Sequence, residues 1–314
     1  MVLSTPVPPV PVAKTRIGAP RGRRPQHDGK AVLGFLAPNL VGFLLFTILP
    51  IGGSLALAFF NWPLLGQPVF NGLTNFIKLF TQDTVFWPVL GNTLYFVGGY
   101  VIANLIVALG LALWLTSRIR LKAVFRVIFF LPVVSPMVAN AAVWRLLFTQ
   151  RTGLIAQVFH GVTGQDAPNW LGDPHWAMPA VIVMSLWAGF GYNMLIFIAG
   201  IEGIPTSLLE AAAIDGAGWW RRTFSIVLPM LSPSLFFGIV MTVISSLQVF
   251  AQPYILTGGG PGNSTTTLVY YLYQQGFQNY AMGYASSVAW ALFLLIMGLT
   301  ALQFAAQKRL VHYQ

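Results

Sequence analysis

The sequence predicts an all-α integral membrane protein with six transmembrane helices and a cytoplasmic helix between the fourth and fifth. Three observations predict it. Of the 314 residues 56% are hydrophobic and only 8% charged, with a mean hydropathy of +0.71; a soluble domain carries about 25% charged residues. Long stretches hold no charge at all: none occurs from Ala31 to Ile77, and none in the 85 residues from Thr223 to Gln307. The basic residues gather in short segments beside these stretches, the topology signal of a membrane protein. That placement, rather than a nucleic-acid partner, accounts for the +10 net charge.

Residues 1–30 hold six prolines, six basic residues and one acid, Asp28, and read as a disordered cytoplasmic tail. A signal peptide is not expected, because the apolar segment that follows is too long and lacks a cleavage site. About 20 residues cross the hydrocarbon, and on that measure the membrane domain, 31–307, divides into six spans. They cover about 31–61, 87–117, a third from the basic turn at Arg118, Arg120, Lys122 and Arg126 to about Phe148, then 176–200, 233–255 and 282–306. Pro38 and Pro50 should loosen the first. The last two are separated by Thr257-Gly-Gly-Gly-Pro-Gly-Asn263, a strong breaker, and by polar residues as far as Tyr280. Residues 308–314 are a short C-terminal segment.

Orientation follows from the basic residues. The tail, the turn after span two, the loop after span four and the C-terminus carry 14 of them, leaving Lys78, Arg145 and Arg151 for the other side. The positive-inside rule then places both termini in the cytoplasm. Leu131-Pro-Val-Val-Ser-Pro136 echoes Leu228-Pro-Met-Leu-Ser-Pro233, a similarity that prolines near a membrane surface can produce independently.

The loop at 202–232 is a charged island between apolar segments. It holds Glu202, Glu210, Asp215 and the Arg221-Arg222 pair, and a charge at a helix centre would cost about 2.5–3.5 kcal/mol, so the loop lies at a membrane surface. Ser207-Leu-Leu-Glu210 fits a capping box, which starts a helix near Ser207. Leu209, Ala212 and Ala213 share one face, and Asp215-Gly216 signals a terminating turn in which Gly216 takes a positive φ. A second short helix should run from about Ala217 towards Pro229.

The motif Glu210-Ala211-Ala212, then Gly216, then Ile226 and Leu228-Pro229 resembles the signature loop of permease subunits in binding-protein-dependent ABC importers, with every spacing kept. Gln248-Val-Phe250, the Pro253–Pro261 segment, the Tyr270–Tyr280 aromatic run, Trp144–Phe148 and Asn169-Trp-Leu171 resemble the carbohydrate-importing, maltose-transporter-type branch. The likeness extends over about 33–310, with Ala251 standing where relatives often carry an acid. It implies that Glu210, Ala211, Ala212, Asp215, Gly216, Ile226, Leu228 and Pro229 form a coupling element. It also implies a second, similar permease, two cytoplasmic ATPase subunits and an extracytoplasmic substrate-binding protein as partners in a bacterial inner membrane. ATP and Mg would be bound by the ATPases; no cofactor is expected in this chain. ATP binding would draw the coupling helices together and open the cavity outward, and hydrolysis would reset it.

Two spans carry polar stripes at helical spacing: Ser185, Gly189 and Tyr192, with Trp187 and Asn193 nearby, on the fourth, and Thr242, Ser245, Ser246, Val249 and Gln252 on the fifth. Such side chains face a bundle interior or a water-filled cavity, or they bond their own or a neighbouring helix; both roles are open here. By the resemblance, Ser185, Gly189, Tyr192, Thr242, Ser245, Ser246 and Val249 fall on the substrate-contacting stretches, with Gly189 and Tyr192 matching in kind. Aromatic faces with neutral hydroxyl or amide groups suit sugars, and the resemblance implies a carbohydrate or a glycerol-phosphate-type polyol as the substrate. An Arg at the position of Arg145 could attract an anion, but more often snorkels to the interface.

No enzyme signature is present. The chain has no cysteine and its four histidines lack ligand spacing, so no metal site is expected. Gly258-Gly-Gly-Pro-Gly262 lacks the Gly-Lys-Ser/Thr of a phosphate loop. A stand-alone ion-coupled carrier is the alternative, but it favours a buried acid or histidine, and no span holds one.

Overall fold

The computed structural model describes residues 29–63, 66–117 and 119–310. Most of the expected disordered tail, Arg118 and residues 311–314 lie outside the described residues. The chain divides after Ile51 into two units. The first contains α1 (Gly29–Phe43), a π turn over Leu44–Ile48 and the start of α2 (Leu49–Leu57). Pro50 has no N–H to donate to the Phe46 carbonyl, and the wide turn sits where that bond is missing.

In the second unit β1 (Phe60–Asn61) pairs antiparallel with β2 (Val69–Phe70), Phe60 opposite Phe70. The Asn75 side-chain amide of α3 (Thr74–Ile77) donates to the Ala58 and Phe60 carbonyls, both at 2.9 Å, and pins this ribbon. After a π turn at Lys78–Gln82 come α4 (Phe86–Thr116), α5 (Lys122–Val134), α6 (Met137–Leu147) and α7 (Leu154–Thr163). Then follow α8 (Pro174–Glu202), α9 (Thr206–Ile214), α10 (Trp219–Arg222), a π turn at Thr223–Val227 and α11 (Leu228–Leu247). The chain closes with α12 (Ala251–Leu256), α13 (Leu268–Tyr273), a π turn at Gln274–Gln278 and α14 (Met282–Leu310).

Among the described residues five stretches are long and apolar enough to cross a membrane: Gly34–Leu57, Phe86–Thr116, Pro174–Glu202, Trp219–Leu247 and Met282–Gln307. The expected third span is different. It is the pair α5 and α6, bent by 97°, so the count is five or six according to whether the pair crosses as one. Pro136 causes the break: the residue before a proline is pushed out of the helical region, and Ser135 is extended at φ −71°, ψ 139°.

The similar Leu228–Pro233 word behaves in the opposite way. Pro229 and Pro233 both lie within helix, with the π turn at Thr223–Val227 placed where Pro229 cannot bond the Ser225 carbonyl. The fifth span is therefore Trp219–Leu247 rather than 233–255, and the short helix expected before Pro229 is its first turns. Helix α7, within the segment expected to be a loop at 149–175, is an addition.

The packing has a simple origin. Helix α4 lies along α8, where Ala108 and Ala112, both 0% exposed and one turn apart, let Met194, Phe197 and Ile198 approach its backbone. Small residues are how membrane helices gain close contact, since lipid is as apolar as the core. Helix α8 begins at Pro174 because Asp173 accepts from the His175 amide at 2.8 Å, an N-cap followed by proline.

Candidate functional site

The surface loop between α8 and α11 brings the signature residues together. Helix α9 starts after Pro205, and no side chain caps it. The capping box therefore does not form: the helix begins at Thr206, which carries Ser207 and Glu210 into its body, and Glu210 points out exposed. Leu209 and Ala212 are half-buried against the chain's own spans, whereas Ala213 is exposed. Leu208, Glu210, Ala211 and Ile214 also face outward, with Ile214 88% exposed.

The other end of α9 closes as expected. The Ala217 amide donates to the Ala212 carbonyl at 2.9 Å and the Gly216 amide to Ala213 at 3.1 Å, the pair of bonds of a Schellman turn. Gly216 sits at φ +74°, the left-handed conformation this turn demands. A cavity of about 180 Å³ is lined by Ala212, Asp215 and Ile226, with Arg221 and Arg222, so the two halves of the motif meet in space. Leu228 and Pro229 follow as the first residues of α11, half-buried. Arg126 of α5 pairs with Glu202 at the end of α8, bracing the base of the loop.

The polar stripes divide by exposure. On α8, Tyr192 is 47% and Trp187 40% exposed, while Ser185 is buried with no hydrogen-bond partner for its hydroxyl among the described residues. Gly189 faces the Tyr100 hydroxyl of α4 closely enough that a Cβ would collide with it. Beyond α11's stripe, Ser245 is exposed, whereas Thr242, Ser246 and Val249 are 5%, 2% and 4% exposed. Ser246 donates to its own helix at Val243, 2.9 Å, and the Thr267 hydroxyl donates to the Val249 carbonyl at 2.8 Å. Thr242 has a role across helices: the Asn193 side-chain amide donates to its hydroxyl at 2.7 Å and to the Asn104 carbonyl oxygen at 2.6 Å. Asn104, buried mid-span in α4, was not singled out from sequence; of the two asparagines in this 31-residue uncharged helix it is the one near the middle, and that depth is the signal that marks it.

A second cluster missed in the sequence gathers on Asp83, beside the N-terminus of α4. Its carboxylate accepts from the Val85 and Phe86 amides at 2.8 and 3.1 Å and from the Tyr271 and Tyr284 hydroxyls, tying α4, α13 and α14 together. Burial pushes this carboxyl up, but the two tyrosines and two amides outweigh it and hold it below the usual carboxylate value. Nearby, Phe250, Tyr254, Tyr270, Tyr273 and Phe277 form an aromatic cluster with ring centroids 5.2–6.4 Å apart. Among the described residues no group of histidines and carboxylates could hold a metal ion.

A bundle of apolar spans interrupted by one exposed helix with a glycine-closed turn is the architecture expected of a multi-pass transport permease. Residues 105–312 match the family described as the binding-protein-dependent transport system inner membrane component, and the chain belongs to that family. It is 37% identical to a probable ABC transporter permease protein, YesP, of Bacillus subtilis, over 94% of this chain and 96% of that one. It is 34% identical to the lactose transport system permease protein LacF of Rhizobium radiobacter, over 87% and 93%. Its fold matches a chain in a bacterial ABC transporter importing the acidic polysaccharide alginate, with a TM-score of 0.81 at 22% identity, covering 91% and 97%. The protein is an ABC transporter permease of the inner membrane.

Proposed function

We propose that this permease carries a carbohydrate or a glycerol-phosphate-type polyol, forming the pathway with a second, homologous permease and driven by two cytoplasmic ATPase subunits. The observation that carries the reading is the geometry of α9: a helix at the ends of two spans, closed by Gly216, presenting Leu208, Glu210 and Ile214 outward. An exposed apolar residue beside an acid suits a docking partner. Glu210, Ala211, Ala212, Asp215, Gly216, Ile226, Leu228 and Pro229 would form the coupling element, with this loop and both termini in the cytoplasm.

The pathway would run along the face that bears Tyr192 and Ser245, backed by Ser185, Gly189, Thr242, Ser246 and Val249. Tyr192 offers a ring face to the apolar face of a sugar, and neutral hydroxyls answer its hydroxyl groups. The relation to a lactose permease supports the carbohydrate class. An extracytoplasmic binding protein would deliver the substrate to the opposite end. The test is reconstitution with candidate ATPase and permease partners in proteoliposomes, measuring sugar-stimulated ATP hydrolysis and uptake of neutral sugars and glycerol phosphates. Uptake by this chain alone, driven by an ion gradient and indifferent to ATP, would overturn the reading in favour of a secondary carrier.

A further inference from the structure

A second, larger cavity beside the loop is not explained by coupling. A cavity of about 550 Å³ is lined by Leu113, Thr116 and Ser117 at the end of α4, Ile201 near the end of α8, Leu209 of α9, and Trp219, Arg222, Thr223 and Val227 at the start of the Trp219–Leu247 span. Apart from Leu209, and Val227 two turns inside its span, every wall is within about four residues of the end of a span, so the cavity opens at the depth of lipid headgroups whichever side of the membrane it faces. Its lining is mostly apolar, with one cation. The Arg222 Nε is buried and has no hydrogen-bond partner among the described residues, and the guanidinium forms no ion pair there. A second cation stands close: the Lys122 Nζ donates to the carbonyl of Thr116, one of the lining residues, at 3.5 Å.

An unmatched guanidinium in the lining of a largely apolar slot, even one that also borders the smaller cavity beside Asp215, has a specific complement. We propose that this cavity binds one anionic phospholipid, its phosphate on Arg222 with Lys122 adjacent, and the start of an acyl chain against Leu113, Ile201 and Val227. Basic pockets between spans hold anionic headgroups in this way, and a guanidinium pairs with phosphate in a bidentate fork. Because Leu209 forms one wall, the lipid braces the underside of α9. The inference builds on the surface position of that helix but not on the substrate or the ATPase. The basic N-terminal tail is a poor occupant, since its six cations against one acid would meet Arg222 with like charge.

The experiment uses the full chain, purified and exchanged into mixed phosphatidylglycerol and phosphatidylcholine, with retained lipid counted by native mass spectrometry. The wild type should hold one phosphatidylglycerol with a preference of about fivefold or more, the scale of one basic residue near a surface; Arg222→Gln should bring that preference close to one. Leu113→Phe, which fills the slot without touching charge, should lower retention of either lipid and serves if Arg222→Gln fails to insert. Equal retention of the two lipids by the wild type overturns the proposal, as does an unchanged preference in Arg222→Gln or unchanged retention in Leu113→Phe. Displacement of the lipid by millimolar inorganic phosphate would assign the site to a soluble anion, and loss of the lipid on ATPase binding would assign it to a protein side chain; either result overturns it. These readouts are independent of transport, so failure here leaves the transport reading standing, and the reverse.

Discussion

Replacing Gly216 tests whether the turn after α9 is the element on which coupling depends. The glycine sits at φ +74° with open space around the position of a Cβ, so a side chain there meets no neighbour and the cost is backbone strain alone. A left-handed L-residue costs about 1–2 kcal/mol, and a β-branched one is a genuine outlier. Two hydrogen bonds, Ala217 to Ala212 and Gly216 to Ala213, depend on that conformation. Helix α9 is only nine residues long, and helices shorter than about 12–15 residues are marginal without support. Gly216→Ala should thus raise the open population of the turn by roughly 5–30-fold, read as faster hydrogen exchange at the amides of residues 216 and 217. Gly216→Val should exceed that, and Gly216→Asn should fall below it. The internal control is Gly218→Ala: Gly218 is at φ −64° with open space, a conformation alanine accepts. Sugar-stimulated ATP hydrolysis in the assembled importer should fall in the same order. Equal exchange and equal hydrolysis in Gly216→Ala and Gly218→Ala would refute the argument.

Further outcomes follow from the rest of the structure. The chain has no native cysteine, so single cysteines at Ile214 and Phe277, both exposed, should react with an impermeant reagent from opposite sides of the membrane, Phe277 from outside; labelling of both from one side would refute the topology. Asn193→Leu removes two interhelical hydrogen bonds, and at about 0.6–1.7 kcal/mol each in a membrane it should lower unfolding stability by roughly 1–3 kcal/mol, an unchanged unfolding curve being the contrary result. Asp83 has a depressed folded-state value, so its clamp should stabilise the protein above the unfolded carboxyl value of 3.8 and lose that contribution as pH falls below it. The difference in melting temperature between the wild type and Asp83→Asn should accordingly be largest near pH 7 and shrink towards pH 3, and a constant gap would contradict the assignment. Tyr192→Ala should impair uptake while leaving assembly intact, because its ring is exposed and packs no core; normal affinity, rate and substrate range would remove it from the path.

What the sequence disclosed was set by the range of the interactions involved. Hydropathy is a sum over about 20 neighbouring residues, so the spans at Phe86–Thr116 and Pro174–Glu202 were legible within a residue or two. The turn at Gly216 was equally legible, since one residue type alone satisfies it cheaply. Prolines were not. Leu131–Pro136 and Leu228–Pro233 share four letters of six, yet one ends in a 97° bend and the other lies inside a continuous helix. A missing N–H can be relieved either by an extended preceding residue, as at Ser135, or by a π turn ahead of the proline, as at Thr223–Val227, and packing partners decide between the two. The capping box failed for a related reason: the N-cap is Pro205, two residues before Ser207, which carries Ser207 and Glu210 past the positions where they could cap.

The polar stripes expose the deeper limit. Helical spacing places Ser245 and Ser246 side by side on α11, each with its hydroxyl on its own helix backbone, but one is exposed and the other buried. Thr242 is committed to Asn193, which in turn reaches Asn104, 89 positions away in the chain. That buried amide pair is expensive to leave unpaired in lipid, and with Thr242 it fixes α4, α8 and α11 to one another. The side chains of one sequence stripe are therefore divided, and only burial separates them: Tyr192 and Ser245 are exposed, while Thr242 and Asn193 join helices, and the proposed sugar path would use the exposed pair.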